Sequence, residues 1–375
     1  MKMPAEIIRE EIANNRIIPF ARFMELALYC PETGYYETNK DNVGRAGDFI
    51  TSVSTGELFG QLLAFQFGQW LEDLNQFKIK SEKLKIIEAG AHDGKLAADI
   101  LRWLQAHRPE LFARLEYLIL EPSAHRQAWQ QKTLEPFAPQ VRWAADFESL
   151  SRLMPPASSA GIFFSNELLD ALPVHRYGWD AARKTWFEWG VTVEGESFCW
   201  SRIPSPAASL QQLCPPELAR VLPDNYTFEA SPAAENWWRE AAGILPSGKL
   251  LAIDYGYTAD DVISPGRPRG TLRAYHRHHI SDDLLANIGR QDLTAHVNFS
   301  AIQNAGEVAG LTTESFSTQP QFLTRILQTA VADKSFAEWN ASRTRQFQTL
   351  THPEHLGRAF RVLVQSKRGR AATKS

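Results

Sequence analysis

The stretch Lys85-Ile86-Ile87-Glu88-Ala89-Gly90-Ala91-His92-Asp93-Gly94-Lys95-Leu96 sets a carboxylate and two glycines where an apolar run gives way to helical periodicity. A strand that feeds a glycine turn and then a helix lets backbone N–H groups at the helix N-terminus face a nucleotide-like ligand, and Gly90 and Gly94 allow close approach. An ordinary tight strand-to-helix connection has the same spacing, so the turn alone leaves both readings open. The next apolar run, Leu118-Ile119-Leu120, ends in Glu121-Pro122-Ser123. An acid at that strand tip can accept both ribose hydroxyls of an adenosyl ligand. Asp146 follows Val141-Arg142-Trp143 and stands where an acid meets the adenine edge, or equally where a cap starts a helix at Phe147.

A further apolar run, Phe163-Phe164, leads into Ser165-Asn166-Glu167-Leu168-Leu169-Asp170-Ala171-Leu172-Pro173. In an open α/β sheet such a tip lines the ligand crevice, so Asn166, Glu167 and Asp170 lie where a second substrate would sit. Paired carboxylates suit a guanidinium, which is a poor nucleophile because its charge is delocalised. A bidentate grip can orient one nitrogen toward an electrophilic carbon. By spacing alone, the same residues also read as a capping box for a helix starting near Glu167. His296, in Asp292-Leu293-Thr294-Ala295-His296-Val297-Asn298-Phe299, is a candidate proton acceptor near neutral pH, or a hydrogen-bonded structural residue. Tyr275-His276-Arg277-His278-His279 lacks an acid or Cys at ligand-like spacing, so it reads as a solvated loop and no metal site is expected.

Such residues need a parallel sheet to bring them to one edge, and the pattern supplies it. Short apolar runs at Leu84 to Ala89, Tyr117 to Leu120, Val141 to Trp143, Gly161 to Ser165 and Leu250 to Ile253 alternate with helical patterns over Lys95 to Ala106 and Ser123 to Leu134. That alternation is the sign of βαβ units. Ahead of it, Ala5 to Leu28 reads as two short helices broken near Pro19, followed by a Gly- and Asn-rich loop and a helix from about Gly56 to Leu74. Period-two patterning around Trp186 to Val191 with Glu194-Gly195-Glu196 as a turn predicts a β-hairpin inserted after the sheet's first half, then a helix near Trp237 and Trp238. Helical stretches over Phe322 to Ala332 and Phe336 to Leu350 and a last strand over Phe360 to Val364 close the core, and Arg368 to Ser375 is a basic tail.

The chain has 375 residues, with 40 Lys and Arg against 43 Asp and Glu, so its net charge of −3 gives no footprint for nucleic acid or an anionic membrane. Cys30, Cys199 and Cys214 are scattered, which fits neither a disulfide framework nor a zinc site. The first residues carry Glu6, Glu10 and Glu11 without an apolar signal region, and no run approaches membrane-spanning length, so a soluble, cytoplasmic protein is expected.

Together these stretches resemble the MidA family of class I S-adenosylmethionine-dependent methyltransferases, which includes a mitochondrial methyltransferase that assists complex I assembly. The resemblance is carried by Phe23-Met24-Glu25-Leu26-Ala27-Leu28-Tyr29 with Gly34-Tyr35-Tyr36, and by Gly47-Asp48-Phe49-Ile50-Thr51-Ser52 with Phe59-Gly60. It continues through the Glu88 turn, Asn166 to Pro173, Leu251-Ala252-Ile253-Asp254-Tyr255-Gly256-Tyr257 and Asp292 to Phe299, in the family's order. The resemblance implies a Rossmann-like, seven-stranded, mostly parallel sheet, S-adenosyl-L-methionine as donor, and a protein arginine, that of a respiratory complex I subunit in the mitochondrial member, as acceptor. Carried over, Glu88, Gly90 and Gly94 would form the methionine-side cradle, Glu121 would hold the ribose, and Asp48, Glu167 and Asp170 would belong to the active crevice. Three positions depart from the family: His92 replaces the usual middle glycine, Val53-Ser54 replaces Pro-Glu, and Asn298 replaces an acid.

The expected organisation is therefore N-terminal helices and an active-site loop over 1–80, a cofactor-binding half-core over 81–173, an inserted β-hairpin and helical lobe over 174–245, the remaining core over 246–367 and a disordered tail over 368–375. Two rival readings share these motifs: a nicotinamide-dependent oxidoreductase, against which only two glycines stand in the turn, and a non-catalytic assembly factor that keeps the fold. The oligomeric state has no sequence signature.

Overall fold

The computed structural model describes residues 2–38, 51–76, 84–155, 160–204, 216–264, 266–276, 279–333, 336 and 339–368. Helix Pro4–Asn15, with proline in its first turn, and helix Phe20–Tyr29 flank strand β1 (Ile18–Pro19), as the break at Pro19 predicts. Helix Leu58–Gln76 then leads into β2 (Leu84–Ala89), β3 (Leu115–Leu120), β4 (Val141–Ala144) and β5 (Ala160–Asn166). Helices Lys95–His107, Ala124–Thr133 and Phe147–Leu153 make the crossovers. An antiparallel meander follows, β6 (His175–Asp180), β7 (Thr185–Glu194) and β8 (Ser197–Pro204), then β9 (Thr227–Ala230) and helix Pro232–Ile244. The chain returns through β10 (Gly248–Tyr257), β11 (Arg273–His276), β12 (His279–Ser281), β13 (Asp292–Thr294), β14 (Val297–Asn298), β15 (Thr312–Thr318) and β16 (Phe360–Lys367).

The central sheet has the order β15-β16-β10-β5-β2-β3-β4, seven strands with the two-residue β14 added beside β10. β2 to β5 and β10 are parallel, and β16 runs antiparallel between β10 and β15. Every residue of β2 and β3 is buried, because helices cover both faces; strands buried on both sides read as continuous apolar runs, which is why they stood out in the sequence. One face packs on helices Leu58–Gln76, Lys95–His107 and Gln319–Ala332, the other on Phe147–Leu153, Pro232–Ile244 and Phe299–Val308.

Two features differ from expectation. The inserted hairpin is the β6–β8 meander of a five-stranded sheet, β1-β7-β6-β9 with β8 on β7, so the N-terminal segment and the insert share hydrogen bonds. Gly195, at φ +59, makes the β7–β8 turn where Glu194-Gly195-Glu196 placed it. Strands β11–β13 form a separate three-stranded sheet, and β15 is an edge strand of Thr and Ser that carries no apolar alternation to reveal it.

Candidate active site

Parallel register brings the key strand tips level, since Ala89 pairs with Leu120 and also with Ser165. The residues that follow, Gly90, Glu121 and Asn166, therefore emerge at one edge and line one crevice of about 2370 Å3. Small-molecule pockets usually measure about 300–1,000 Å3, so this one has room for two substrates.

Gly90 (φ +73), His92 (φ +46) and Gly94 (φ +82) all adopt left-handed backbone. A side chain at Gly90 would meet Leu168 at 3.1 Å, and one at Gly94 would meet Leu134 at 3.3 Å, so the bend is packed on both sides. The position where the family has its middle glycine thus demands glycine-like geometry, and His92 adopts it as a strained exception. Glu88 is buried at the end of β2 and accepts the Tyr117 hydroxyl at 2.6 Å; burial pushes its carboxyl up to about 8. Glu121 accepts the Ser123 N–H at 3.1 Å and the Gln130 amide at 3.0 Å. Burial raises its proton affinity, opposed chiefly by the attraction of Arg126. Gln130, fully buried, also donates to the His92 carbonyl at 3.1 Å and accepts the Trp143 indole N–H at 2.9 Å, so one amide ties the glycine bend to Glu121.

Beyond β5 the chain turns sharply. Glu167 sits at φ +54, and a short 3-10 turn, Leu169–Ala171, takes the place of the helix that a capping box would start. Asp254, at the β10 tip, accepts the N–H groups of Leu168, Leu169 and Asp170 at 3.1, 2.8 and 3.4 Å, fixing the turn from the neighbouring strand. Glu167 accepts the Ser52 N–H and the Asn166 amide, each at 3.2 Å, and burial beside Asp254 pushes it up to about 8. Burial raises Asp254 to about 7, and burial beside Asp254, Asp292 and Glu167 holds Asp170 well above the usual carboxylate range. Among the described residues no group of three or more His, Cys, Asp and Glu is arranged to hold a metal ion.

The short helix Tyr35–Thr38 bridges these two clusters. Its Tyr36 hydroxyl donates to Asp292 at 2.8 Å, while its Tyr36 carbonyl accepts Arg126 Nε at 2.7 Å and Glu37 accepts the Ser123 hydroxyl at 2.7 Å. The Tyr29 hydroxyl donates to the Ala171 carbonyl at 2.9 Å, and its ring lies 5.4 Å from that of Tyr36.

Of the residues singled out in the sequence, Glu88, Gly90, Glu121, Asn166, Glu167 and Asp170 meet in this crevice. Asp48 lies outside the described residues, although Ser52 at the end of its loop contacts Glu167. Asp146 lines the crevice mouth, and its Oδ1 accepts the Ser149 N–H in a reciprocal cap at the start of helix Phe147–Leu153, so the helix-cap reading holds beside a position at the crevice. His296 lines the crevice stacked 4.9 Å from Tyr257, and burial with Arg273 and Arg267 pushes it down to about 4. That environment favours the neutral imidazole, and the ring stacking agrees with the structural reading of this residue. Asn298 caps helix Phe299–Val308 through the Ala301 N–H, a task an acid performs equally well. Arg126, Gln130, Tyr36 and Asp292 were missed; the available signal is that helix Ala124–Thr133 buries Arg126 and Gln130, a polar inner face one turn apart.

Residues 62–317 match the profile of a family described as S-adenosyl-L-methionine-dependent methyltransferases. The chain belongs to this family, the MidA group of class I methyltransferases. It is similar to a Burkholderia thailandensis protein solved bound to S-adenosyl-homocysteine, at 32% identity and a TM-score of 0.82 over 97% of this chain and 92% of that one. It is also similar to mitochondrial protein arginine methyltransferases of Drosophila melanogaster, at 27% identity over 82% of this chain and 70% of the relative, and of Homo sapiens, at 27% over 78% and 67%. The methyltransferase uses S-adenosylmethionine. Its crevice fits that donor on its own terms: a side chain at Gly90 would be strained at φ +73 and crowd Leu168, and Asn166 Oδ1 is buried at the crevice wall with no partner among the described residues. Among the described residues no helix is long and apolar enough to cross a membrane.

Proposed function

We propose that this methyltransferase modifies arginine side chains of proteins, with Glu88, Gly90, Gly94, Glu121 and Asn166 holding the donor and Glu167 and Asp170 holding the acceptor. The observation that carries the reading is the buried group of Glu167, Asp170 and Asp254, whose proton affinities rise because burial disfavours their charged forms and, for Glu167 and Asp170, because neighbouring carboxylates repel one another. A guanidinium entering the crevice supplies a positive charge that offsets this burial and repulsion, and planar carboxylate pairing fixes its orientation. The curated relatives named as protein arginine methyltransferases support the same acceptor. A subunit of respiratory complex I is the narrower reading, and it rests on the family resemblance alone.

Bound S-adenosylmethionine supplies an electrophilic methyl carbon on a sulfonium. The chain's task is alignment. Glu121, held by Ser123 and Gln130, presents a carboxylate to the ribose hydroxyls, and Glu88 faces the methionine end. Glu167 and Asp170 hold the guanidinium so that one nitrogen forms the N–C bond as the C–S electron pair stays on sulfur. The raised proton affinity of Glu167 suits it to take the proton that this nitrogen releases.

The test is transfer of labelled methyl to a protein extract followed by complete acid hydrolysis. Label should run with methylarginine. Label in methyllysine, or only in base-labile esters, would overturn the arginine reading.

A further inference from the structure

We propose that Arg126 is a binding residue for the adenosyl half of the cofactor. Arg126 lies one turn into helix Ala124–Thr133, directly after the Glu121 tip, and is 9% exposed. Two of its interactions are fixed: Nε donates to the Tyr36 carbonyl at 2.7 Å, and the guanidinium lies 5.0 Å from the centre of the Tyr36 ring. Its Nη2 is buried without a partner, although the residue lines the crevice.

An unmet buried donor on a charged group is unfavourable, so a ligand acceptor that reaches it is favoured. The group that meets it has to enter through the crevice beside Glu121. There the carboxylate of Glu121 offers only acceptors, whereas ribose hydroxyls and purine nitrogens also present acceptors of their own. Arg126 supplies the complementary donor. Its charge works in the same direction, opposing the burial and the Glu37 repulsion that favour a protonated Glu121. Arg126 and Glu37 act on Glu121 with opposite sign, and the Ser123 hydroxyl, donated to Glu37, links that acid to the same helix turn.

The assignment depends on cofactor use and not on the identity of the acceptor. Calorimetric titration of the full chain with S-adenosylhomocysteine, methylthioadenosine and adenosine separates it from a structural role. Arg126→Met should weaken all three by tenfold or more, by a similar factor each, because all carry the adenosyl group. Arg126→Lys, which keeps the charge and loses the fork, should fall between Met and wild type. Thermal melting without ligand identifies a folding defect: a Met variant that melts like wild type and binds adenosine as tightly would overturn the proposal. So would a loss seen with S-adenosylhomocysteine and absent with adenosine, which would move Arg126 to the methionine end. If the Met variant fails to fold, the Lys variant decides, and wild-type affinity for adenosine in it would equally refute the assignment.

Discussion

Asp254 Oδ2 accepts the backbone N–H of Leu169 at 2.8 Å across a separation of 85 residues, with the N–H of Leu168 at 3.1 Å. The turn that delivers Glu167 and Asp170 to the crevice is thus held by a carboxylate that does not itself line it. Asp254→Ala leaves those N–H groups without their acceptor, at a cost of about 1–3 kcal/mol. Denaturant unfolding should show that loss. With the turn on the proposed acceptor side, kcat should fall while affinity for S-adenosylhomocysteine stays within about twofold of wild type, since this variant leaves Glu121 untouched. Equal losses in binding and turnover would show that the turn supports the donor as well.

Glu121 makes its own contacts in the absence of ligand, to Ser123 and Gln130, and these keep its carboxylate aimed. Glu121→Gln removes the charge and one acceptor while preserving shape, so donor affinity measured by calorimetry should weaken by about tenfold, the ~1.4 kcal/mol scale of a charge-assisted hydrogen bond. Unchanged affinity would remove Glu121 from the ribose role.

Burial raises the carboxyls of Glu88 and Glu167 to about 8 and Asp254 to about 7, from ordinary values of 4.5 for Glu and 3.8 for Asp. The folded ligand-free protein therefore binds more protons than the unfolded chain between pH 4 and 8. Its stability is greatest at the acid end of that window and declines as pH rises through the folded values. Melting temperatures in matched buffers at pH 5.5, 6.5 and 7.5 should fall in that order. Where the donor's ammonium is paired with Glu88, binding also requires Glu88 ionised, so affinity should tighten as pH rises toward 8, by at most about tenfold per unit. Glu88→Gln should flatten that profile, and a profile independent of pH in the unmodified chain would contradict the assignment.

His92 holds φ +46 at the centre of the glycine bend. Left-handed backbone costs an ordinary residue about 1–2 kcal/mol, and a β-branched side chain more. His92→Gly should leave stability unchanged or raise it by under about 1 kcal/mol, and should preserve donor binding. His92→Val should destabilise by about 1–2 kcal/mol and weaken the donor. Matching urea midpoints for the two variants would show that the bend is not strained.

The core strands were readable because a strand covered on both faces has no polar alternation, so Leu84 to Ala89 and its neighbours appear as unbroken apolar runs. The tips Glu88, Glu121 and Glu167 were readable because an acid stands out at the end of such a run. Contacts between distant segments left no local trace: Tyr36 and Asp292 meet across 256 residues, and nothing in either stretch announces the other. Asp146 shows the converse, a local role that is fully legible. The Asp-x-x-Ser spacing before Leu150 marks the helix cap that the structure shows. The polar edge strand Thr312–Thr318 has Phe316 as its one apolar residue and so no alternation to mark it.

The account separates a donor half, built on Glu88 and Glu121, from an acceptor half, built on Glu167 and Asp170. The most direct test is the Glu167→Gln, Asp170→Asn double variant, assayed side by side for S-adenosylmethionine binding by calorimetry and for labelled methyl transfer to protein. Donor affinity within about threefold of wild type with transfer reduced at least 100-fold is the expected result. Wild-type transfer in that variant, or loss of donor binding together with transfer, would contradict the division of the crevice.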